Sequence, residues 1–464
     1  MPDLPSMTTL LNPATGEGIA EVPRLGPTEV DRAVNAAHDV YQRGTWRNAS
    51  VRERRDVLRG IADLVRRDQE RLAQLESSNT GKPIAAARGE IGVVATTFDF
   101  YAGAVDKFHG QTIPGNARGT LMTFRGPIGV CAAIAPWNFP MVITGWKAAP
   151  ALAMGNSVVA KPAEITPLTA LSLVDLATEA GLPAGVFSVV TGQGSEAGAA
   201  LVRHPLVRKI SFTGSTEVGS EVMGQAALGV KRVSLELGGK SANLIFADAD
   251  LDACVSSSLW SVYDNAGQDC CARSRILVER SIFREVVDRF VAATEQIKIG
   301  DPTVEETEMG PLISASHRER VESYLEIGRS EGGTVVTGGQ RLDSPGNFLT
   351  PSVIIDVGPN MRVMKEEIFG PVVGIIPFDT EEEAVALAND SVYGLSGSLW
   401  TRDVGRALRV ARAVETGMIS INSSSSVHIE APFGGVKQSG IGREQGMAAL
   451  EHYSEYKTVF IGEQ

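Results

Sequence analysis

From residue 126 to about residue 377, short runs of apolar residues alternate with longer stretches of helical periodicity. No other feature of the sequence constrains the fold as strongly. The apolar runs, such as residues 130–135, 186–190 and 209–212, are continuous and contain few polar residues. Strands that are buried on both faces have this pattern, and the helical stretches between them supply the crossovers of βαβ units. The sequence therefore predicts an α/β protein with parallel sheets.

Composition and charge exclude several classes of protein. Hydrophobic residues make up 43% of the 464 residues and charged residues 21%, which is typical of a folded globular chain. The formal net charge of −12 opposes binding to nucleic acid or to anionic membranes. No apolar run approaches the roughly 18 residues of a membrane-spanning helix, and the N-terminus lacks the basic and apolar segments of a secretory signal. We therefore expect a cytoplasmic protein with no nucleic-acid or membrane partner.

Cysteine and histidine usage argues against disulfides and metals. The four cysteines, at positions 131, 254, 270 and 271, are too few for a disulfide framework and are typical of reduced thiols. Cys131 and Cys254 are predicted core residues. The six histidines form no His-Glu-x-x-His pair and the cysteines form no Cys-x-x-Cys pair, so no metal site is expected.

Two glycine-rich turns follow predicted strands in the first half of the chain. Residues 192–197 match the pattern Gly-x-Gly-x-x-Ala, and residues 214–219 follow the apolar run that ends at Phe212. Each match alone is weak, because glycine often serves only to make a tight turn. At strand–helix junctions of a parallel sheet, however, such turns direct backbone N–H groups at a pyrophosphate.

The adjacent residues Cys270 and Cys271 are candidates for a nucleophile. A buried cysteine is usually inert packing, but the flanks here, residues 265–272, are polar and contain glycine, which predicts an exposed turn. A thiol in such a turn becomes nucleophilic if its pKa falls below the free value of about 8.5. Because adjacent side chains in an extended chain point in opposite directions, only one thiol is expected to face a given pocket.

Two further polar residues follow predicted strands. Glu236 ends an apolar strand and precedes two glycines, so it is either a solvated strand-end residue or a base that faces a cleft. Asn138 lies between Pro136 and Pro140, and these prolines fix the backbone that carries its amide. Ligands bind at the carboxyl ends of the strands in α/β sheets, where a side-chain amide is a suitable oxyanion donor.

Seven stretches, in order along nearly the whole chain, resemble the aldehyde dehydrogenase superfamily in its NAD(P)-dependent hydrolytic branch. They are Pro-Trp-Asn-Phe-Pro (136–140), Lys-Pro-Ala-Glu (161–164), Phe-Thr-Gly-Ser-Thr-Glu-Val-Gly (212–219), Leu-Glu-Leu-Gly-Gly-Lys-Ser (235–241), Gly-Gln-Asp-Cys (267–270), Glu-Ile-Phe-Gly-Pro (367–371) and Pro-Phe-Gly-Gly-Val-Lys-Gln-Ser-Gly (432–440). Several are weak individually, but together they are not a coincidence.

The resemblance implies NAD-dependent oxidation of an aldehyde to a carboxylic acid, and it implies catalytic roles for five residues. Cys270 is the expected nucleophile, which forms a thiohemiacetal and then a thioester. The Asn138 amide and the Cys270 backbone N–H are expected to stabilise the oxyanion. Glu236 is expected to activate the water that hydrolyses the thioester. Lys147 and Glu444 are expected to support a proton path.

The resemblance also implies a site for NAD and no metal. The residues it places there are Trp137, Lys161, Glu164, Gly214, Ser215, Gly219, Leu237, Glu367 and Phe369. Lys161 and Glu164 are expected to hold the adenosine ribose, Ser215 to meet the pyrophosphate, Glu367 to hold the nicotinamide ribose and Phe369 to pack near the nicotinamide. Because a carboxylate accepts hydrogen bonds from a 2′-hydroxyl and repels a 2′-phosphate, Glu164 favours NAD, with NADP the less favoured alternative.

A subunit of three parts is implied as well. A Rossmann-like NAD-binding domain takes residues 1–105 and 128–237, and an α/β catalytic domain takes residues 238–438. A small β element for oligomerisation takes residues 106–127, which read as a hairpin arm around Pro114, and residues 439–464. The tail of this element, residues 456–461, predicts a single strand, which needs a partner edge in its own chain or in a neighbour. A homodimer or homotetramer is expected.

The stretch before Cys270 departs from many relatives, which carry an aromatic residue where Asp264 stands and an apolar or thiol residue where Asp269 stands. Each acid is either a turn or surface residue or part of the wall of the aldehyde funnel. An acidic wall would attract an ammonium-bearing aldehyde such as 4-aminobutanal and repel succinate semialdehyde. The four serines at 423–426 predict small polar walls and no aromatic cage. An aminoaldehyde is one expected substrate, and a neutral aliphatic or aromatic aldehyde is the other.

Two alternative functions are weighed against the hydrolytic enzyme. A CoA-acylating semialdehyde dehydrogenase of the same fold generally lacks a glutamate at the position of Glu236, because water must not consume the thioester. A non-catalytic structural homologue tends to lose the nucleophile or the base, whereas this chain keeps Cys270, Glu236 and Asn138. The sequence therefore favours the hydrolytic enzyme.

Overall fold

A computed structural model describes residues 6–463, and over this range strands and helices alternate. The first half of the chain passes from a pair of antiparallel strands through four helices into a series of strand–helix units. In chain order these elements are β1 (Met7–Leu11), β2 (Gly18–Pro23), α1 (Pro27–Arg43), α2 (Val51–Arg67), α3 (Gln69–Thr80), α4 (Ile84–Ala104), β3 (Thr112–Ile113), β4 (Gly119–Pro127), β5 (Val130–Ile134), α5 (Pro140–Ala153), β6 (Ser157–Lys161), α6 (Leu168–Glu179), β7 (Phe187–Val189), α7 (Ala199–Arg203), β8 (Val207–Thr213), α8 (Thr216–Ala227) and β9 (Arg232–Glu236).

The second half continues the alternation and ends in one long strand. Its elements are β10 (Ala242–Ile245), α9 (Leu251–Tyr263), β11 (Arg275–Glu279), α10 (Phe283–Thr294), α11 (Ala315–Ser330), β12 (Thr334–Thr337), β13 (Ser352–Ile355), α12 (Arg362–Lys365), β14 (Val372–Phe378), α13 (Glu381–Asn389), β15 (Gly397–Trp400), α14 (Val404–Ala413), β16 (Ser420–Ile421), β17 (Gly440–Ile441), α15 (Ala448–His452) and β18 (Ser454–Gly462). Among the helices of residues 6–463, none has the length and apolar character needed to cross a membrane.

The first sheet has the strand order β17-β9-β8-β5-β6-β7, and its neighbours are parallel except for the pair β17–β9. Along β5, Val130, Ala132 and Ile134 pack into one hydrophobic core, whereas Cys131 and Ala133 pack into the core on the opposite face. Burial on both faces explains why the apolar run is continuous. The prediction of an α/β fold with parallel sheets is confirmed.

The second sheet has the strand order β12-β13-β14-β11-β10-β15-β16, and its neighbours are parallel except for the pair β12–β13. Its strands share one hydrophobic core with helices that include α9 and α10. Cys254 on α9 is fully buried in that core, and Cys131 is 1% exposed in the first sheet. Both cysteines are therefore core residues, as predicted.

The third sheet joins the predicted arm to the predicted tail strand. β18 pairs with β4 in antiparallel register from Ser454 opposite Pro127 to Gly462 opposite Gly119, and β4 pairs with β3. The partner of the tail strand is therefore in the same chain. β18 stands at the edge of this sheet as far as residues 6–463 show, and it exposes Tyr456, Phe460 and Ile461.

Apolar residues recur at helical spacing over residues 52–77, and residues 79–83 have the composition of a helix end, so the sequence predicts a single helix here. The structure has instead two helices, α2 and α3, which meet at Asp68. Asp68 has φ −97° and ψ 13°, outside the helical range, and its carboxylate accepts hydrogen bonds from Arg67 Nε (2.7 Å) and Arg71 Nη2 (2.9 Å). These charged contacts stabilise the break between α2 and α3, which the spacing of the apolar residues does not reveal. The end of α3 at Gly81, whose φ is 79°, lies where the sequence predicts it.

The chain passes from the first sheet to the second through residues 237–241, and this crossing positions the site. Neither Gly238 nor Gly239 has room for a side chain. A Cβ on Gly238 would overlap the Glu367 carboxylate, and a Cβ on Gly239 would overlap the Cys270 carbonyl oxygen. The two glycines therefore let the end of β9, which carries Glu236, lie directly against the segments that carry Glu367 and Cys270.

Candidate active site

A cavity of about 650 Å³ lies beside this crossing, and its walls include Cys270, Glu236 and Glu444. Thr213 at the end of β8 and Phe139 just before α5 also line the cavity. Three of the five predicted catalytic residues therefore share one cavity. The other two, Asn138 and Lys147, contact its walls as described below.

The candidate thiols follow a turn of three left-handed residues, Asn265, Ala266 and Gly267, with φ values of 50°, 55° and 70°. A Cβ at Gly267 would overlap the Gly370 carbonyl oxygen, so only glycine fits there. The left-handed conformation costs a residue such as alanine roughly 1–2 kcal/mol. Reciprocal hydrogen bonds hold the turn: Asn265 Nδ2 donates to the Gln268 carbonyl (3.2 Å), and Gln268 Nε2 donates to the Asn265 carbonyl (2.9 Å).

Asn138 lies between β5 and α5, at the carboxyl end of a strand as predicted, and is 5% exposed. Its side-chain Nδ2 donates to the backbone carbonyl of Gln268 (2.9 Å). Its own backbone carbonyl accepts a hydrogen bond from Asn265 Nδ2 (3.1 Å). The structure therefore brings the Asn138 amide against the turn that carries Cys270.

Cys270 and Cys271 are both among the residues that line the cavity, but Cys271 is 4% exposed and packs into a hydrophobic core, whereas Cys270 is more exposed. The chain turns here, because the Ala272 N–H donates to the Asp269 carbonyl (3.0 Å). The two Sγ atoms and an Asp269 carboxylate oxygen lie within 4.8 Å of one another. The hydrogen bond with the Cys271 side chain and burial raise the pKa of Cys270 well above that of a free thiol.

Glu236 is the last residue of β9 and is 3% exposed. Neither of its carboxylate oxygens has a hydrogen-bond partner among the described residues. Burial and the nearby charge of Glu444 raise its pKa well above the usual value. A raised pKa makes the ionised Glu236 carboxylate a stronger base, and its free oxygens can accept a proton from a water molecule, so its environment is that of a general base.

Lys147 on α5 and Glu444 after β17 are brought together as an ion pair that is completely removed from solvent. Lys147 Nζ also donates to Thr213 Oγ1 (2.8 Å) and Ser211 Oγ (3.1 Å), and Ser211 Oγ donates to Glu444 Oε1 (2.8 Å). The two hydroxyls on β8 were not singled out in the sequence, because serine and threonine in a buried strand carry no distinguishing pattern. The four groups form a continuous polar chain behind Glu236.

A second cavity of about 610 Å³ lies along the carboxyl ends of the first sheet. Both predicted glycine turns line it, with Gly194 from the first and Gly214 from the second. Ser215 caps the N-terminus of α8, where its hydroxyl accepts the Val218 N–H (3.3 Å). Uncommitted N–H groups at such a helix start favour a phosphate group. The predicted cofactor residues in this cavity are Trp137, Lys161, Glu164, Gly214 and Ser215.

The other predicted cofactor residues lie outside that cavity. Gly219 packs so tightly on Leu237 that a Cβ would overlap its side chain. Glu367 accepts the Gly239 N–H (3.0 Å), and burial raises its pKa to about 7. Phe369, with a φ of 63°, packs edge-on against Trp137 at a centroid distance of 5.2 Å. Gly239, whose N–H donates to Glu367, abuts the Cys270 carbonyl, so Glu367 lies near the nucleophile.

Besides Glu236 and Glu444, three acids line the same cavity as the thiols: Glu90, Asp264 and Asp269. Asp264 is open to the cavity but remote from bulk water, and this loss of hydration together with the charge of Asp269 raises its pKa. Burial raises the pKa of Glu90 to about 8, although the Lys82 ammonium pairs with it. Within residues 6–463 neither aspartate forms an ion pair, and an Asp269 oxygen accepts the Cys271 N–H (2.9 Å).

Aromatic side chains from three parts of the chain line the cavity as well. They are Phe139, Trp146 on α5, Trp260 on α9 and Phe433, and the Trp146 and Phe433 rings meet edge-on at 5.2 Å. The serines at 424–426 line it as expected, and the aromatic side chains that border the cavity come from other parts of the chain. The helix-borne residues Glu90, Trp146 and Trp260 were missed in the sequence, since periodicity does not tell which helix face borders a cavity.

Comparison with known proteins agrees with this arrangement. The sequence profile of the Aldehyde dehydrogenase family matches residues 3–459. A betaine aldehyde dehydrogenase from Bacillus subtilis is 43% identical over 97% of this chain and 93% of its own length. Retinaldehyde dehydrogenase 3 from Mus musculus is 45% identical over 97% of this chain and 88% of its own length. The crystal structure of a betaine aldehyde dehydrogenase from Staphylococcus aureus in complex with NAD+ superposes with a TM-score of 0.97 at 40% identity, covering 98% of this chain and 91% of the other.

Proposed function

This chain belongs to the aldehyde dehydrogenase family, and from that premise we propose that it oxidises an aldehyde whose far end carries an ammonium group. NAD-dependent oxidation of an aldehyde to a carboxylic acid follows from membership of the family. The nature of the substrate and the roles of the individual residues are our proposal. One observation carries the assignment of roles: Cys270, Glu236 and the Asn138 amide converge beside a second cavity built from two glycine turns.

Cys270 is the nucleophile in this proposal. Its thiolate adds to the aldehyde carbon, and the carbonyl oxygen becomes the oxyanion of a thiohemiacetal. The Asn138 amide, whose Nδ2 donates to the Gln268 carbonyl, and the Cys270 backbone N–H stabilise this charge. The raised pKa of the Cys270 thiol means that it must lose its proton before it attacks, and raising the pH favours that loss.

The residues of the second cavity fit NAD. The start of α8 at Ser215 suits the pyrophosphate, and Lys161 with Glu164 lines the end where a ribose would be held. Glu367 and Phe369 border the nicotinamide end. When bound, NAD supplies the acceptor for the hydride that leaves the thiohemiacetal. The Glu164 carboxylate favours the free 2′-hydroxyl of NAD over the 2′-phosphate of NADP.

Glu236 is the base for the second half of the reaction. It takes a proton from water, the resulting hydroxide attacks the thioester carbon, the C–S bond breaks, and the carboxylic acid and the Cys270 thiolate are formed while the proton stays on Glu236. The buried chain of Glu444, Lys147 and the hydroxyls of Ser211 and Thr213 lies close to Glu236 and is the proposed path by which this proton leaves. A free, buried carboxyl group at Glu236 argues against CoA as the acyl acceptor, because water would consume the thioester first.

The three acids in the funnel support an ammonium-bearing substrate. Glu90 is already paired with Lys82, and Asp269 lies near the Arg273 guanidinium, whereas Asp264 is the more exposed aspartate, so Asp264 is the acid most available to an incoming cation. An ammonium group near Asp264 would lower the raised pKa of this carboxyl and hold it ionised. Trp146 and Trp260 add ring faces that attract cations, which extends the proposal to a quaternary ammonium such as that of betaine aldehyde.

A neutral, apolar aldehyde is the second candidate, because Val93, Val142 and Ile143 also line the funnel and one relative is a retinaldehyde dehydrogenase. The test is kcat/KM, with NAD, for 4-aminobutanal, betaine aldehyde, succinate semialdehyde and hexanal. The proposal expects the two cations to be preferred over hexanal and the anion to be the poorest substrate. A preference for hexanal over both cations would contradict it.

Assembly and location are also part of the proposal. The exposed apolar side chains on edge strand β18 support a homodimer or homotetramer in which this edge meets another subunit. All four cysteines are free thiols, which is expected of a cytoplasmic protein. Light scattering after size-exclusion chromatography measures the number of subunits directly, and a monomer would contradict the proposed homodimer or homotetramer.

A further inference from the structure

Lys82 is a buried cation that the reaction described above does not use. It lies between α3 and α4 in the turn that begins at Gly81, and its side chain has no exposed surface. The Ser77 hydroxyl donates to the Lys82 carbonyl (2.6 Å) and fixes the turn. Burying an ammonium group is costly, and an apolar side chain of similar length would fill the same space without that cost. The contacts of the Lys82 ammonium group must therefore explain why a charged side chain is buried here.

Apart from its ion pair with Glu90 on α4, the Lys82 ammonium group contacts the segment before α5. It forms an ion pair with Glu90, donates to the backbone carbonyl of Asn138 (3.0 Å) and lies 4.3 Å from the centroid of the Phe139 ring. Asn138 and Phe139 are consecutive, so one ammonium group fixes the position of both residues. Glu90 supplies the compensating charge from α4.

The Asn138 carbonyl is held from two sides. One lone pair accepts from Lys82 Nζ (3.0 Å) and the other from Asn265 Nδ2 (3.1 Å), which belongs to the turn before the nucleophile. With its backbone fixed in this way, Asn138 directs its side-chain amide at Gln268, two residues before Cys270. An oxyanion donor is effective only when it lies within a few tenths of an ångström of its productive position. The contacts that hold the donor in place are therefore important.

We propose that Lys82 is a positioning residue for the oxyanion site, whose ammonium group holds the Asn138 backbone carbonyl so that the Asn138 amide faces the thiohemiacetal oxygen. This inference rests on the proposed role of Asn138. Lys82 itself touches neither substrate nor cofactor, and its contribution passes through Asn138 alone.

A double-mutant cycle between Lys82→Met and Asn138→Ala tests the proposal. Hexanal is the substrate, because a neutral aldehyde is insensitive to the charge removed from the funnel. The measured quantity is the rate constant of the first-turnover NADH burst. In the wild-type background we expect Lys82→Met to slow the burst about 10- to 100-fold, within the range for weakening one oxyanion donor, with the KM for NAD unchanged. In the Asn138→Ala background the same substitution should change the burst by less than about twofold.

The outcomes separate the two proposals. If Lys82→Met slows the burst equally in both backgrounds, Lys82 does not act through Asn138 and the positioning role is wrong. If Asn138→Ala leaves the burst intact, the oxyanion role itself is wrong. Should Lys82→Met fail to fold because Glu90 is left as an unpaired buried charge, the pair Lys82→Met/Glu90→Gln removes both charges. The double-mutant cycle then uses Glu90→Gln as the reference protein in place of wild type. The positioning role is again wrong if Lys82→Met slows the burst equally with and without Asn138→Ala, and the oxyanion role is wrong if Asn138→Ala leaves the burst intact.

Discussion

Replacing Asp264 by asparagine changes one charge in the funnel and little else. The Asp264 carboxylate oxygen accepts the Asn265 N–H (2.9 Å), and the side-chain oxygen of asparagine can accept the same bond, so the strained turn before Cys270 is preserved. Asp264 is open to the cavity and lacks an ion-pair partner in the part of the chain that the structure describes. The substitution therefore isolates the electrostatic attraction between this carboxylate and a cationic substrate.

The size of the effect follows from Coulomb's law. A charge pair about 4–5 Å apart interacts by about 4 kcal/mol at an effective dielectric constant of about 20 and by about 1 kcal/mol in bulk water. Because Asp264 is exposed to the cavity, we expect a value near the lower end, about 1–2 kcal/mol. This corresponds to a fall of about 5- to 30-fold in kcat/KM for 4-aminobutanal. The value for hexanal should stay within about twofold, and that for succinate semialdehyde should rise.

The assay is steady-state NADH formation with the three aldehydes at low ionic strength, and then with added salt, which should shrink the difference. Asp269→Asn is the matched control, because Asp269 is engaged with the Cys271 N–H and Arg273 lies near it, so its effect should be smaller. In wild type, the preference for 4-aminobutanal should fall as the pH drops through the raised pKa of Asp264, since protonation removes the charge while the substrate stays cationic. If Asp264→Asn leaves the ranking of the three aldehydes unchanged, the acid is structural and the reasoning fails.

Two further predictions concern the thiol and the cofactor. The hydrogen bond with the Cys271 side chain raises the pKa of Cys270, so alkylation of Cys270 by iodoacetamide should accelerate with pH above neutrality. Cys271→Ser should move this acceleration to lower pH. An unchanged pH profile would mean that Cys271 does not influence the nucleophile. Glu164→Gln should raise kcat/KM with NADP by about 5- to 30-fold relative to NAD, since removing one repulsive charge next to the 2′-phosphate contributes about 1–2 kcal/mol. A wild-type enzyme that already prefers NADP would refute the role given to Glu164.

The fold was predictable from the sequence because its physical cause is local. Strands such as β5 are buried on both faces, and this leaves a continuous apolar run that can be recognised without knowing the neighbouring strands. The break at Asp68 was not predictable, because the apolar faces of α2 and α3 continue across it. The domain boundaries remain predictions. Residues 440–441, assigned to the oligomerisation element, form a strand that pairs with β9 in the first sheet.

Site residues that belong to a distinctive sequence segment could be predicted. Site residues that reach the cavity only through tertiary packing could not. Asn138 and Glu236 stand at strand ends, and the structure brings both to the region of Cys270. Lys82 lies in the turn after α3, and Trp146 and Trp260 lie on helices. The sequence pattern does not tell which residues these side chains contact. The side-by-side arrangement of the two thiols depends on a turn that the sequence suggested but whose geometry it does not determine.

The central claim is that aldehyde oxidation passes through a thioester on Cys270 that Glu236 helps to hydrolyse. The most direct test is to mix Glu236→Gln with NAD and hexanal, quench the reaction after the NADH burst, and map the acylated peptide by mass spectrometry. The account predicts one burst of NADH, turnover about 10²- to 10⁴-fold slower than in wild type, and a hexanoyl group on Cys270. An acyl group on Cys271 would place the nucleophile one residue further on. Full turnover with no trapped acyl group would contradict the role of Glu236, and loss of the burst would mean that Glu236 activates the thiol instead of the water.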